Sequence, residues 1–427
     1  MSEVAERTDG ATSGVPGNGA RDPHGDIPTP ELDAPRGSVT TAANPAPAPA
    51  PAPATASTLD ELRTDDAAWD RFVEASAVAT YPQLSAWGEI KRDNGWRAVR
   101  VVADGGSGPI GAQVLVHRLG PTPFGVGFAP RGPVATRWDE ASVRAFSREL
   151  RRLTTRERLS HVTVDPEVDD PAVRSALRAA GWRPAETWID PESTRVVDLR
   201  QSEDDLWGGL RSKWRQYVQK ARRAGVVVVD GGPDDLEEFY GVFVETAERA
   251  GFPYRTLGSY RRVFETFHAT GRARLLFARL PDGTAGATIM LIRCGDRVVE
   301  PYGGMTLAGA DARANYLVKW EAIRSSQAAG AGSYDMWGLV NPGIAQFKAG
   351  FGGREIHYVG AWDLVRLPPL RTAMHVVRRA RRRLAGIRGT HHAETPPASM
   401  PSRDVASGPY TGPEAGDRSD VASSSDA

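Results

Sequence analysis

A single cysteine, Cys294, is all the sulfhydryl chemistry the chain offers, so no disulfide can form within it and a cysteine-rich metal site is excluded. Cys294 stands in the apolar run "ATIMLIRC" and reads as a core residue rather than a nucleophile. Net charge is also missing: 53 basic and 53 acidic residues give +0, so no overall field gathers a polyanion. Contact with a nucleic acid would have to come from a local patch. No uninterrupted apolar run approaches the roughly 20 residues of a membrane span. The N-terminus, "MSEVAERTDGATSG", lacks the apolar segment of a secretory signal. The expected location is therefore the cytoplasm, free or peripheral at the inner face of the membrane. The eight histidines are scattered, with His391 and His392 in a polar tail, and no metal site is expected.

What is present divides the chain. Residues 1–57 are rich in Ala, Pro, Gly, Ser and Thr and end in "NPAPAPAPAPATAST"; residues 389–427 are rich in Ser, Asp and Pro. Such segments bury too little apolar surface to offset chain entropy, and both are expected to be disordered tails. Between them lies an internal echo. "GPIGAQVLVHRLG" (108–120) and "GTAGATIMLIRCG" (283–295) share Gly, Gly, Ala, Arg and Gly in register. Each follows an apolar strand-like segment. Each half then continues into a helical pattern and a short strand: "ASVRAFSRELRRLTTRERL" with "SHVTVDP", and "ANYLVKWEAIRSSQAAG" with "SYDMWGL". The expected fold class is α+β. The arrangement resembles two tandem domains of the GNAT (acyl-CoA N-acyltransferase) fold. The resemblance puts the first at 58–225 and the second at 226–355, with a strand at 356–370 returning to the first. "GGMTLAGADARANYL", where a GNAT enzyme would cradle the pyrophosphate of CoA, carries glycines without the required spacing.

Three local features carry chemistry. In "NPGIAQFKAGFGG" one lysine, Lys348, sits among glycines and phenylalanines. A phosphate loop would need Gly-x-x-x-x-Gly-Lys-Ser/Thr; Phe347 stands in place of the second glycine and Ala349 follows the lysine, so that reading fails. The residues alone leave open a solvent-facing lysine on a glycine turn. "RSKWRQYVQKARR" interleaves Arg211, Lys213, Arg215, Lys220, Arg222 and Arg223 with Trp214 and Tyr217. Cations with aromatics between them suit the phosphates and unpaired end of an RNA, and equally a domain-bridging helix with a solvated face. The basic segment 371–388 and the leucine before it place Leu370, Met374, Val377, Leu384 and Ile387 on one helical face, with Arg378, Arg379, Arg382 and Arg383 mainly off it. A basic amphipathic helix suits an anionic membrane surface, or packing on protein or RNA.

Six stretches in order resemble the FemABX family of aminoacyl-tRNA-dependent peptidoglycan peptidyltransferases: "PQLSAWGEIKRDNGW", "FAPRGPV", "LRSKWRQYVQKARRAGV", "AGFPYRTLGSY", "YGGMT" with "ANYLVKWEAI", and "YDMWGL" with "IAQFKAGFGG". They cover about 60–368. The resemblance implies transfer of an amino acid from aminoacyl-tRNA to the amine of a stem peptide on lipid II or a UDP-linked muropeptide. Aminoacyl-tRNA is then a co-substrate and no cofactor is required. It implies that Lys348 is catalytic, that the glycines after it let backbone approach the ester, and that Lys213, Arg215, Lys220, Arg222 and Arg223 bind tRNA. It further implies that Lys91 and Arg255 hold the acceptor's diphosphate, that Tyr260 covers the sugar and that Tyr302 bonds the peptide stem. Asp335, at the end of a strand, reads as a structural cap. A CoA-dependent N-acyltransferase of the same fold, or a non-catalytic module binding muropeptide or tRNA, stays open.

Overall fold

The computed structural model describes residues 55–185 and 191–388; within 378–388 the side chains of 378, 379 and 381–388 are outside the description. The two expected tails lie outside the described residues, except that helix α1 (Ala56–Thr64) starts inside the first, capped by Thr55. The first half continues with α2 (Asp66–Glu74), α3 (Ser85–Arg92), β1 (Arg97–Asp104), β2 (Pro109–Arg118) and β3 (Gly125–Ala129). It is completed by β4 (Val134–Ala135), α4 (Glu140–Arg156), β5 (Leu159–Val164), α5 (Pro171–Ala179) and β6 (Arg183–Pro184). After it come β7 (Ser193–Asp198), α6 (Glu203–Gly209), α7 (Ser212–Arg223), β8 (Val227–Gly231), α8 (Leu236–Ala250) and α9 (Leu257–His268). Then follow β9 (Ala273–Arg279), β10 (Ala285–Cys294), β11 (Arg297–Met305), α10 (Leu307–Asp311) and α11 (Ala314–Ala328). The last elements are β12 (Ser333–Gly338), α12 (Pro342–Ala349), β13 (Arg354–His357), β14 (Trp362–Val365) and α13 (Pro368–Arg388).

Local chemistry explains the main elements. In α4 the side chain of Asp139 accepts from Ser142 N at 2.7 Å, and Val143, Phe146, Leu150 and Leu153 bury one face. The two echo segments are β2 and β10, central strands buried on both faces over most of their length. Cys294, the last residue of β10, is buried, and burial pushes its thiol far above the usual range.

The strands form two sheets, ordered β1-β2-β3-β5-β14-β6 and β8-β9-β10-β11-β12-β7-β13. The same pairing sequence recurs in both. β1/β2/β3 and β9/β10/β11 are antiparallel; β3/β5 and β11/β12 are parallel. An antiparallel strand then follows in each: β14 beside β5, and β7 beside β12. These two strands are exchanged between the halves of the chain. β14 comes back after the second sheet to complete the first, while β7 leaves the first half to complete the second. The boundary expected at 225 is therefore displaced: β7, α6 and α7 belong to the second unit. Each exchanged strand covers an edge that would otherwise present unpaired backbone groups.

An ionic knot sits where the halves meet. Arg297, at the head of β11, is buried; it donates to Ala79 O at 3.0 Å, to both oxygens of Glu167 at 2.6 and 3.3 Å, and to Asp335 Oδ2. Glu167 also accepts from the Tyr358 hydroxyl at 3.3 Å and lies 3.5 Å from Arg131 Nε. Asp335 further accepts from Thr194 Oγ1 on β7 and from Trp337 N at 2.7 Å. Burial pulls the Arg297 guanidinium down, but Glu167 and Asp335 outweigh it and hold the group well above its ordinary range.

Against β5 and β14 of the first sheet, α13 is clasped. Arg371 donates to Asp363 Oδ2 at 2.8 Å, Thr163 donates to Asp363 Oδ1 at 2.6 Å, and Met374 meets Ser160. His161, Asp363 and His375 bring ligand atoms within 4.8 Å of one another, but the carboxylate is already held by Arg371 and Thr163. Leu370 and Met374 are half-buried, whereas Val376 and Val377 are exposed. The expected apolar stripe is thus split: its first two residues face the protein. The side chains of Arg378, Arg379, Arg382, Arg383, Leu384 and Ile387 lie outside the described residues. Among the described residues no helix is long and apolar enough to cross a membrane.

Removing one member of a buried ion network leaves the others charged without a partner, typically at about 3–5 kcal/mol. Arg297→Met is expected to lose stability on that scale in urea unfolding. A loss below about 1 kcal/mol would show that the knot holds nothing together.

Candidate active site

Lys348 does not sit on a glycine turn. It occupies the last turn of α12, which Asn341 caps by accepting from Ile344 N at 2.8 Å and Pro342 opens. Its amine donates to the carbonyls of Trp337 at 3.0 Å and Gly338 at 2.7 Å, at the end of β12. Trp337 has φ +59°, a left-handed backbone that a bulky residue rarely adopts. Asp335 Oδ1 accepts from its N–H, so the knot at Arg297 holds the turn that presents both carbonyls. Burial first, then the ammonium of Lys319, lower the Lys348 amine to about 7, against the upward pull of Glu300 and Asp335. An amine titrating there can hold or release a proton near neutrality.

Two of the glycines after Lys348 make room for packing. A Cβ on Gly350 would lie 2.3 Å from the ring of Trp214, and one on Gly353 2.4 Å from Val196 O. Trp214 reaches across to donate to Phe347 O at 3.1 Å. Phe347, Phe351, Tyr316, Trp214 and Tyr217 form a continuous aromatic wall, with centroids of successive rings 4.8–6.1 Å apart.

Three residues that the sequence did not single out complete the surroundings. Lys319, on α11, is 3 % exposed, and its amine lies 2.5 Å from each oxygen of Glu300 on β11. Tyr334 donates to Glu300 Oε2 at 2.6 Å, and burial together with that carboxylate pushes its phenol well up. A lysine between Val318 and Trp320 in an otherwise apolar helical stretch was the available signal.

The expected acceptor contacts fall in two places: Lys91 on α3, and Arg255, Tyr260 and Tyr302 around the start of α9. Lys91 is 7 % exposed, its amine 4.2 Å above the Trp87 ring. Trp87 meets Tyr81 at 5.4 Å, and Tyr81 meets Trp337 at 5.9 Å, so an aromatic path links Lys91 with the carbonyl that holds Lys348. Arg255 is exposed at the entrance to α9, and its N–H donates to the Tyr260 hydroxyl at 3.2 Å. Tyr260 is a core residue, not a surface cover: it is 4 % exposed among Phe239, Phe243 and Tyr302, and burial raises its phenol. Tyr302 is half-buried beside it.

Of the basic helix, α7, two members are already engaged. Arg215 donates to the carbonyls of Gly208 at 2.8 Å and Leu210 at 2.5 Å, closing the end of α6. Arg222 pairs with Glu321 at 2.7 Å. Lys213 lies 5.7 Å from the Tyr217 ring, and Lys213, Lys220 and Arg223 are exposed. Trp214 and Tyr217 belong to the aromatic wall. The helix therefore bridges to α12 with its aromatic face and offers solvent a shorter basic row than its composition promised.

Comparison with known proteins gives two family matches. Residues 64–175 match the FemAB family, and 208–349 match an acetyltransferase (GNAT) domain. Lipid II:glycine glycyltransferase of Staphylococcus haemolyticus (strain JCSC1435) is 24% identical over 234 residues, 52% of this chain and 56% of that protein. The enzyme of the same name from Staphylococcus saprophyticus is 24% identical over 233 residues, with the same coverage of 52% and 56%. The chain thus spans about half the length of these curated relatives. The crystal structure of FemX superposes with a TM-score of 0.65 at 19% identity, covering 71% of this chain and 96% of that one, a likeness of fold.

Gly350→Ala tests the packing of α7 on α12. The added methyl must displace the Trp214 indole and break its bond to Phe347 O, a strain of about 1–3 kcal/mol. The expected result is a lowered unfolding midpoint with altered tryptophan fluorescence. An unchanged midpoint and spectrum would show that α7 yields freely.

Proposed function

We propose that the chain, whose residues 64–175 match the FemAB family, is a FemABX-type enzyme that transfers an amino acid from aminoacyl-tRNA to the stem-peptide amine of a peptidoglycan precursor, with lipid II as the acceptor. The observation that carries this reading is Lys348: an amine held by two backbone carbonyls and titrating at about 7, beside a wall of aromatic rings. The acceptor amine attacks the ester carbonyl, the carbon–oxygen bond to the ribose breaks, and one proton must travel from the amine to the leaving oxygen. The ester is already activated, so no covalent enzyme intermediate is needed. Positioning, one proton carrier and charge beside the developing oxyanion suffice. Neutral Lys348 takes the proton and the resulting ammonium returns it to the ribose oxygen.

In this reading Lys91 and Arg255 bind the acceptor's diphosphate, as cations fixed at phosphates do. Tyr302 hydrogen-bonds the stem. Lys213, Lys220 and Arg223 meet tRNA phosphates, as an exposed basic row can. Helix α13 carries the protein to the anionic membrane surface where a lipid-linked acceptor lies. Support comes from its clasped start, its exposed Val376 and Val377, and the arginines in its sequence.

Incubation with charged tRNAs and with lipid-linked and UDP-linked precursors, read by mass spectrometry, tests the reaction directly. Lys348→Met is expected to lower single-turnover transfer by about two orders of magnitude or more, the scale of losing one preorganised charged group. An unchanged rate at saturating substrate removes Lys348 from the chemistry. Deleting residues 376–388, beyond the clasp made by Arg371 and Met374, is expected to abolish salt-sensitive binding to anionic liposomes and to lower transfer to the lipid-linked acceptor while sparing the UDP-linked one. Equal loss on both acceptors refutes the membrane role.

A further inference from the structure

The Lys319–Glu300 pair is an expensive feature with no evident fold purpose. Both side chains are buried, on α11 and β11, and an ion pair in such a place is seldom more stable than apolar residues of the same volume. The hydroxyl of Tyr334, itself fully buried, adds a third member at 2.6 Å. The unit adjoins Lys348. Tyr316 and Lys319, one helical turn apart, present one face of α11 to α12. Tyr316 meets the Phe347 ring at 5.3 Å, and the Lys319 amine lies 5.9 Å from the same ring, one residue from Lys348. Tyr334 lies three residues before Trp337, whose carbonyl holds the Lys348 amine.

We propose that the Glu300–Lys319 pair, clamped by Tyr334, is a positioning unit for Lys348: it balances the charge around that amine so that the lysine can accept and return one proton in each transfer. The inference rests on Lys348 acting in the proposed reaction. The charged groups bearing on Lys348 are Lys319 from α11, Glu300 from β11 and Asp335 from β12, the last already tied to Arg297. With the pair intact, Lys319 presses the amine towards neutrality and Glu300 limits that push. Within one turnover the acceptor nitrogen bonds to the ester carbon, the bond to the ribose oxygen breaks, and the acceptor's proton passes to Lys348 and on to that oxygen. The pair itself gains and loses nothing.

The two ends of the pair make opposite predictions. Lys319→Met leaves the Glu300 carboxylate uncompensated, which favours the Lys348 ammonium and moves its titration up. Glu300→Gln leaves the Lys319 ammonium uncompensated and moves it down. Each displacement is expected to be about one pH unit, the lower end for a nearby charge. Lys319→Arg keeps the charge and is expected to leave the titration in place. The readout is the pH dependence of reductive methylation of Lys348 by formaldehyde with cyanoborohydride as the hydride donor, in the full chain, followed by peptide mass spectrometry, with circular dichroism to verify folding. Opposite displacements in K319M and E300Q, with none in K319R, support the proposal. Displacements in the same direction, or none in E300Q, overturn it. If K319M does not fold, a downward move in E300Q with none in K319R supports it, and any other result in those two overturns it. This measurement needs no substrate. Opposite displacements without transfer activity would sink the proposed function and leave the pair's effect on Lys348 standing; matched displacements of the pH–rate profile would support both.

Discussion

Arg297 is the constraint on which the rest of the architecture depends. Its guanidinium lies buried between two carboxylates from different halves of the chain, Glu167 after β5 and Asp335 in β12, and also reaches the Ala79 carbonyl ahead of α3. A buried arginine requires such a complete set of acceptors, because an unpaired charge in a low-dielectric interior is far more costly than an unmade neutral hydrogen bond. The two sheets are thus joined by a polar knot that tolerates little adjustment, in addition to the exchanged strands β7 and β14. Thr194 ties β7 into the same carboxylate, so strand exchange and ion pairing reinforce each other.

The candidate site inherits its geometry from that knot. Asp335 is held by Arg297 on one side, and on the other it accepts from the N–H of Trp337, whose left-handed backbone turns two carbonyls towards Lys348. Those carbonyls fix the amine without neutralising it. Its titration is then set by burial and by the nearest charges, Lys319 above all. A strained turn at a bulky residue persists only where neighbouring structure enforces it. Here the enforcement is a carboxylate that could not leave without stranding a buried guanidinium.

Around the lysine the structure separates two environments. The aromatic path through Trp87, Tyr81 and Trp337 runs back to Lys91, while the wall of Trp214, Tyr217, Tyr316, Phe347 and Phe351 leads to the basic helix α7. Lys348 lies where the two meet, the arrangement a two-substrate transfer needs. The tyrosines and tryptophans of both regions are mostly packed on one another, so their rings rigidify the approach to the lysine.

Periodicity and internal similarity in the sequence determined the α+β class, the paired modules and their central strands, because the echo segments are mostly apolar and a strand buried on both faces accepts such a run. The motif order likewise pointed to Lys348 as the residue to examine. Tertiary structure alone decided the rest. Whether β7 pairs with the first or the second sheet is a long-range choice that local propensity does not encode. Of the glycines after Lys348, Gly350 and Gly353 make room for Trp214 and Val196, residues more than a hundred positions away. Tyr260 sits in a motif that suggested a surface role, yet neighbours from α8 and β11 bury it. Arg215 and Arg222 looked like free cations until the fold supplied the carbonyls of α6 and the carboxylate of Glu321. Lys319 and Glu300, nineteen positions apart, acquire meaning only through the 2.5 Å that separates their charges. Sequence fixes which groups can ionise; burial and the neighbours brought by folding decide which of them do so at neutral pH.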